Sequence, residues 1–286
     1  MKSVLVIGAN GQLGKTIQCL SRNTNIHFDF FSRKELDITD YKLLKDVFHK
    51  KKYNYCINCA AFTNVDLAEV HKESAFKINS ECVREIALLC FELDVVLLHI
   101  STDFVFDGNS RFPYTELDTT KPLNIYGKSK LSGENQIILN CEKYFIIRTS
   151  WLYSNFEQNF VDVMISLSKK DKKINVVSDQ IGAPTNAKDL VLVILKIIET
   201  SFKDYGVFHY SNEGEASWFI FASEIFKILK VKPLLFGVES KEYPTKATRP
   251  KYSKLDSSKI KKGMKIKVPH WKTSLKEHLY NNHLLK

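Results

Sequence analysis

The sequence predicts an α/β fold: a doubly wound parallel sheet with a smaller C-terminal α/β lobe. Three observations predict it. Short apolar runs alternate with helix-patterned segments through residue 150, the rhythm of a parallel sheet covered on both faces. A glycine turn, Gly8-Ala-Asn-Gly11-Gln-Leu-Gly14, separates the first apolar run from the first helical segment. A later apolar run ends in Ser101-Thr102, and Tyr126 and Lys130 follow it, four residues apart. A chain of 286 residues holds one large α/β unit or two coupled lobes. Residues 1–150 read as a nucleotide-binding domain, with segments of about 174–204 returning to it. Residues 151–286 read mainly as a substrate lobe.

Residues 2–7, Lys-Ser-Val-Leu-Val-Ile, form the first buried strand. A helix through Ile17 and Leu20 comes after the glycine turn. Gly8 permits the tight turn, Gly11 lets backbone approach a pyrophosphate at the helix N-terminus, and Gly14 allows close helix–strand packing. Gln12 and Leu13 open that helix and belong to the same site. A second strand at 26–31 ends at Ser32-Arg33. A hydroxyl and a guanidinium here, in place of an acid, suit a 2′-phosphate. NADPH is therefore the expected cofactor, with NADH also possible. Leu36-Asp37-Ile38 reads as the end of a short third strand at the cofactor. Asp37 either bonds the adenine amino group or serves a turn.

A helix at 40–50 and a fourth strand at 55–60 lead to Ala60-Ala61-Phe62-Thr63, where two small residues, Ala60 and Ala61, let a cofactor pass close. A long helix at 72–93 carries Asn79, which either holds a water in a proton path or is a helix-surface amide. The fifth strand, 95–100, delivers Ser101 and Thr102 to the carboxyl edge, where open parallel sheets bind ligands. The loop 103–125, punctuated by Pro113 and Pro122, reads as a substrate cover. A sixth strand at 145–148 runs into Thr149-Ser150-Trp151. Beyond it the alternation weakens. Helices are expected at 157–169, 186–199 and 216–230, strands near 174–177 and 207–210, a loop at 179–185, and a basic tail of short elements at 231–286.

The segment after Asn124 is expected to be helical, with Pro122 and Asn124 as stop and cap and Leu131, Ile137 and Ile138 as apolar positions. On a helix, Tyr126 and Lys130 project from one face. A cation beside a phenol lowers a pKa that starts near ~10. Tyr126 is thus a candidate proton donor to a carbonyl under reduction.

Lys and Arg number 42 against 32 acidic residues, a formal charge of +10. The lysines are scattered and their clusters short (50–52, 169–170, 172–173, 259–262). Nucleic-acid binders concentrate charge on one face, so a solvated basic surface is expected and no nucleic-acid partner. Cys56 and Cys59 form a CxxC in an apolar strand, where residues three apart face opposite ways. They read as buried thiols, not a metal or redox pair. No apolar run reaches ~18 residues, and Met1-Lys2 runs straight into a strand. No membrane partner is expected, and the cytoplasm is the expected location.

Taken together, the glycine turn, Ser101-Thr102-Asp103-Phe104-Val-Phe-Asp107-Gly108, Tyr126-x-x-x-Lys130 and Gly133-Glu134 resemble the extended short-chain dehydrogenase/reductases. More narrowly, the chain is similar to their dTDP-4-dehydrorhamnose reductase family. Arg148-Thr-Ser-Trp151, Asn159-Phe160-Val161, Asp179-Gln-Ile-Gly-Ala-Pro-Thr185 and Arg249-Pro250 continue the likeness over nearly the whole chain. The resemblance implies a Rossmann-type domain and NADPH-dependent reduction of the C4 ketone of a nucleoside-diphosphate 6-deoxy-4-ketohexose. It implies Thr102, Tyr126 and Lys130 as the catalytic set. Thr63 and Val65 would line the nicotinamide and sugar pocket, Asp103 and Trp151 would touch the sugar nucleotide, and Arg249 its diphosphate. Two departures stand out. Members often carry Tyr where this chain has Phe104, so a hydroxyl contact to the substrate is missing. Some members place a glutamate, which helps bind Mg²⁺ at a dimer interface, where this chain has Thr16. No metal is expected, and a monomer or homodimer is. The rival readings are a nucleotide-sugar epimerase or dehydratase, and a regulatory subunit resembling the methionine adenosyltransferase β subunit.

Overall fold

The computed structural model describes residues 1–170 and 173–281. Lys172 of the 172–173 pair and the last residues of the basic tail lie outside that range. Strands β1 (Lys2–Ile7), β2 (Ile26–Phe31), β3 (Tyr55–Asn58), β4 (Val96–Thr102) and β5 (Tyr144–Thr149) form a parallel sheet. The strand Gly206–His209 completes it beside β5. The order across the sheet is β2, β1, β3, β4, β5, Gly206–His209, so the chain reverses direction of travel between β1 and β3. A ligand crevice opens at the carboxyl ends of the strands at such a switch point.

Period-two alternation makes the layers. Val4 and Val6 face one side of β1, where Ile17 and the helix Ala187–Glu199 cover them. Leu5 and Ile7 face the other, among Leu44, Val47, Ile86 and Leu97. All four strand residues are fully buried, and each such side chain stabilises the fold by roughly 1.5–3 kcal/mol. A separate cluster around Tyr153, Phe221, Ile225 and Trp271 is the core of the second lobe.

Several expected elements are differently built. Leu36-Asp37-Ile38 is not a strand. Leu36 N–H and Glu35 N–H both return to Ser32 O, and Asp40 N–H to Asp37 O, so the backbone is spent on turns. Leu36 and Ile38 are apolar because they plug the core beneath β1. β3 therefore follows β2 directly in the sheet's sequence order, and it stops at Asn58. The loop 179–185 contains two short strands: Ile181–Gly182 pairs with Ala216–Ser217, and Thr185–Asn186 with Leu152–Tyr153. Ile174–Val177 pairs with Leu235–Val238 in the second lobe, whereas the later strand Gly206–His209 is the one that joins the main sheet.

Helices α1 (Gln12–Ser21) and α2 (Tyr41–Lys50) lie where the patterning put them. The long helix expected at 72–93 is composite. It comprises α4 (Lys72–Phe76), a π-helical turn at Lys77–Glu81 and α5 (Cys82–Glu92). A short α3 (Val65–Val70), capped by Asn64, precedes it. α6 (Ile125–Asn140) starts as expected, with the Asn124 side chain accepting the Gly127 N–H at 2.8 Å. The π turn and α6 touch through Gly133, where a Cβ would lie 2.0 Å from Asn79 O.

Candidate active site

A cleft of about 870 Å³ runs along the carboxyl edge of the sheet, from the glycine turn to the second lobe. At one end lie Gly8, Gly11, Gln12 and Leu13. Gly8 has φ +79°, and a Cβ there would sit 2.6 Å from Ala60 N. β1's turn and the chain after β3 thus pack backbone to backbone. α1 has Gly11 as its N-cap, with no side chain capping it and no acid in its first turn. Its first N–H groups and positive end are left for an anion. That cradle fits the pyrophosphate of a dinucleotide.

Farther along, Arg33, Asp37 and Ile38 line the cleft, and Ala60, Ala61 and Thr63 form its floor. Ser32 does not reach it. Its hydroxyl and its N–H both bond Glu35 Oε2, at 2.7 and 2.8 Å, and the residue is buried. Arg33 extends outward, its Nε 3.4 Å from Asp37 Oδ2. The Asp37 Oδ1 accepts from the Thr39 N–H and hydroxyl at 2.9 and 2.8 Å, so its turn role is filled. Those bonds hold its carboxyl below the usual range, Thr39 N–H foremost.

Thr102, Asp103, Tyr126 and Lys130 meet at the middle of the cleft. β4 delivers Thr102 at its last position, and α6 presents Tyr126 and Lys130 one turn apart. Burial pushes the Tyr126 phenol up to about 12; the Thr102 hydroxyl pulls it back and Asp103 pushes it further. The expected Lys130 contact to the phenol is not made. Lys130 Nζ instead bonds Ile100 O at 2.7 Å and His99 Nε2 at 3.1 Å. Burial brings Lys130 down to about 8, against the pull of Glu134 and Cys59. At neutral pH Tyr126 is a protonated acid, which is the form a proton donor needs.

Asp103 is 2 % exposed. Its Oδ1 accepts from Thr102 Oγ1 at 3.1 Å, and its Oδ2 has no partner in hydrogen-bonding geometry. Burial raises it to about 6, with the nearby Ser253 and Thr102 hydroxyls pulling back. Phe104 packs edge-on to Tyr126, ring centroids 5.7 Å apart. Under this cluster, Glu134 accepts from Arg148 through both oxygens and from the Ser101 hydroxyl, tying α6 to β4 and β5.

The far end is formed by Val65, Trp151 and Arg249. Trp151 adopts φ +46° and stacks on Trp218, centroids 3.6 Å apart and planes within 9°. Sequence reasoning missed Trp218, whose signal was an aromatic directly after the Ser217 cap of its helix. Arg249 is not a free phosphate receptor. Its guanidinium is committed to Asp66, at 2.7 and 3.4 Å, and to Ala247 O. Asn79 is neither surface nor cleft. It is fully buried; its Oδ1 takes the Phe62 N–H, and its Nδ2 donates to Phe62 O and Ser129 Oγ. Cys59 lines the cleft half-buried, its thiol pushed up to about 12 by burial. Thr16 is buried with its hydroxyl donated to Gln12 O at 2.7 Å. No cluster of three or more His, Cys, Asp or Glu that would hold a metal exists among the described residues.

A family model described as "RmlD substrate binding domain" matches residues 1–283. A dTDP-4-dehydrorhamnose reductase of Aggregatibacter actinomycetemcomitans is 37 % identical, over 96 % of this chain and 98 % of that protein. The crystal structure of a dTDP-4-dehydrorhamnose reductase from Clostridium acetobutylicum is 40 % identical with a TM-score of 0.93, covering 97 % of this chain and 98 % of its own. One from Bacillus anthracis, in complex with NADP, is 39 % identical with a TM-score of 0.93, covering 98 % and 100 %.

Proposed function

The chain belongs to the RmlD substrate binding domain family, and on that premise we propose that it reduces the C4 ketone of dTDP-4-dehydro-L-rhamnose to dTDP-L-rhamnose with NADPH. The observation that carries this reading is the half-buried Tyr126 phenol beside Thr102, midway between a phosphate cradle and a second-lobe pocket. NADPH supplies a hydride to C4 of the sugar. Charge develops on the carbonyl oxygen, and Tyr126 delivers its phenolic proton there while the Thr102 hydroxyl turns from Asp103 Oδ1 to donate a hydrogen bond to it. Lys130 holds the nicotinamide ribose. Arg33, with its exposed guanidinium, takes the 2′-phosphate without help from Ser32. Asp103, which lines the cleft, accepts from a sugar hydroxyl. Trp151, stacked on Trp218, forms a wall of the sugar-nucleotide pocket. A bound diphosphate meets Arg249 by sharing or displacing its bond to Asp66. In this reading residues 1–150 hold the cofactor, 151–286 mainly hold the sugar nucleotide, and the enzyme works in the cytoplasm. No helix among the described residues is long and apolar enough to cross a membrane.

The test is turnover of enzymatically generated dTDP-4-dehydro-L-rhamnose, with NADPH oxidation followed by absorbance and the product identified by NMR. Formation of dTDP-L-rhamnose is the expected result. Formation of the C4 epimer would reassign the product, and no oxidation by protein that binds NADPH would remove the reading.

A further inference from the structure

The Lys130 ammonium expected at the site has the wrong neighbours for its charge. Its Nζ lies 3.1 Å from His99 Nε2, and the His99 Nδ1 lies 3.2 Å from Asn58 Nδ2. The Asn58 amide cannot turn over freely, because its Oδ1 takes the Ala60 N–H at 3.0 Å. Flipping it would set an amide donor against that N–H. Asn58 Nδ2 therefore donates to Nδ1, and a neutral His99 must carry its proton on Nε2. His99 is fully buried, and burial, the foremost cause, holds it well below the usual histidine range, so it is neutral whichever form Lys130 takes. Its Nε2–H points at Lys130 Nζ, which then needs a lone pair. An amine satisfies all contacts: it accepts from His99 and donates to Ile100 O at 2.7 Å. An ammonium leaves two donors face to face.

We propose that Asn58 and His99 are positioning residues that hold Lys130 as a neutral amine before cofactor binds, and that NADPH binding draws one proton from solvent onto Lys130. The lone pair of Nζ takes a proton from buffer, and the resulting ammonium leaves His99 to donate to the ribose hydroxyls. This last step rests on the proposed role of Lys130 at the nicotinamide ribose; the tautomer of His99 does not. The other groups facing Lys130 do not supply the proton's effect. Glu134 is bound to Arg148 and Ser101, Tyr126 and Cys59 stay protonated, and Asp103 acts on Tyr126 rather than on Lys130. Burial, against the pull of Glu134 and Cys59, brings Lys130 down to about 8, and the donor at His99 Nε2 favours the amine further.

Two measurements test the chain of contacts. Long-range ¹⁵N–¹H spectra of the ligand-free protein, with the His99 signal assigned by its loss in His99→Gln, should show the Nε2–H tautomer. An Nδ1–H tautomer or an imidazolium overturns the proposal. Calorimetric titration with NADPH near pH 9, above the Lys130 value of about 8, in buffers of different ionisation enthalpy should report uptake of about one proton. Asn58→Asp offers a carboxylate to both Ala60 N–H and Nδ1–H, reverses the tautomer and should abolish most of that uptake. Lys130→Met should abolish it too. Binding without proton uptake, or uptake that survives Lys130→Met, overturns the proposal. Protein with the Nε2–H tautomer that binds no NADPH sinks the cofactor reading and leaves the Asn58–His99 arrangement standing.

Discussion

Asp103 carries a cost that its position explains. Its carboxyl is buried, and its folded pKa of about 6 lies above the ordinary 3.8. The sign follows: the ionised form weakens the folded state, by nothing below pH 3.8 and by the full amount above about 6. Asp103→Asn should therefore be more stable than the native chain at pH 7.5 by roughly 1–3 kcal/mol, and equal to it near pH 3.5, read by urea unfolding at both pH values. Its turnover should fall, because Asp103 lines the cleft and is the proposed acceptor for a sugar hydroxyl. Arg33 makes a second prediction. Replacing it with Ala removes a charge-assisted contact worth about 1.5–3 kcal/mol, so kcat/KM with NADPH should drop roughly tenfold or more while that with NADH holds. Equal losses with both cofactors would take the 2′-phosphate from Arg33. The residue types at these positions were legible from sequence; their commitments were not. Ser32 looked like a phosphate ligand until Glu35, three residues on, was seen to occupy its hydroxyl. Arg249 looked free until Asp66, far away in the chain, was seen to hold it.

At the scale of elements, the π-helical turn at Lys77–Glu81 does what a regular helix would not. It carries Asn79 inward, where one amide grips both the Phe62 backbone and Ser129 of α6. That fixes the chain leading into Thr63 relative to the helix bearing Tyr126 and Lys130. Helical periodicity found the run but could not show an inserted turn, because a π turn shifts register by one residue without changing composition. The same register shift explains why Asn79 is core rather than surface. Gly133 is the tightest joint in this assembly, since a Cβ there would stand 2.0 Å from Asn79 O. Gly133→Ala should cost about 3 kcal/mol or more by overpacking, seen as a lower urea midpoint with an unchanged slope. A neutral effect would mean that α6 moves freely off the π turn. The false strand at 36–38 is the opposite lesson. Its alternating apolar residues satisfied the strand pattern, but β1's free edge was taken by β3, and no partner was left for them.

Across the whole molecule, the cleft lies between two packed cores and is lined from both. The main sheet was legible because glycine turn, apolar runs and helices recur locally. The second lobe was less so, because its strands are two to four residues long and pair across distant segments. A ligand that binds the folded chain alone should stabilise it by mass action, so NADPH at about a hundred times its dissociation constant should add ~2.7 kcal/mol, read as a raised Tm. The central claim is that Tyr126 delivers the proton in an otherwise intact site, and single-turnover kinetics of Tyr126→Phe test it most directly. The variant should bind NADPH like the native chain and oxidise it with dTDP-4-dehydro-L-rhamnose about 10²–10⁴-fold more slowly. A folded, NADPH-loaded variant that turns over at the native rate would contradict the account.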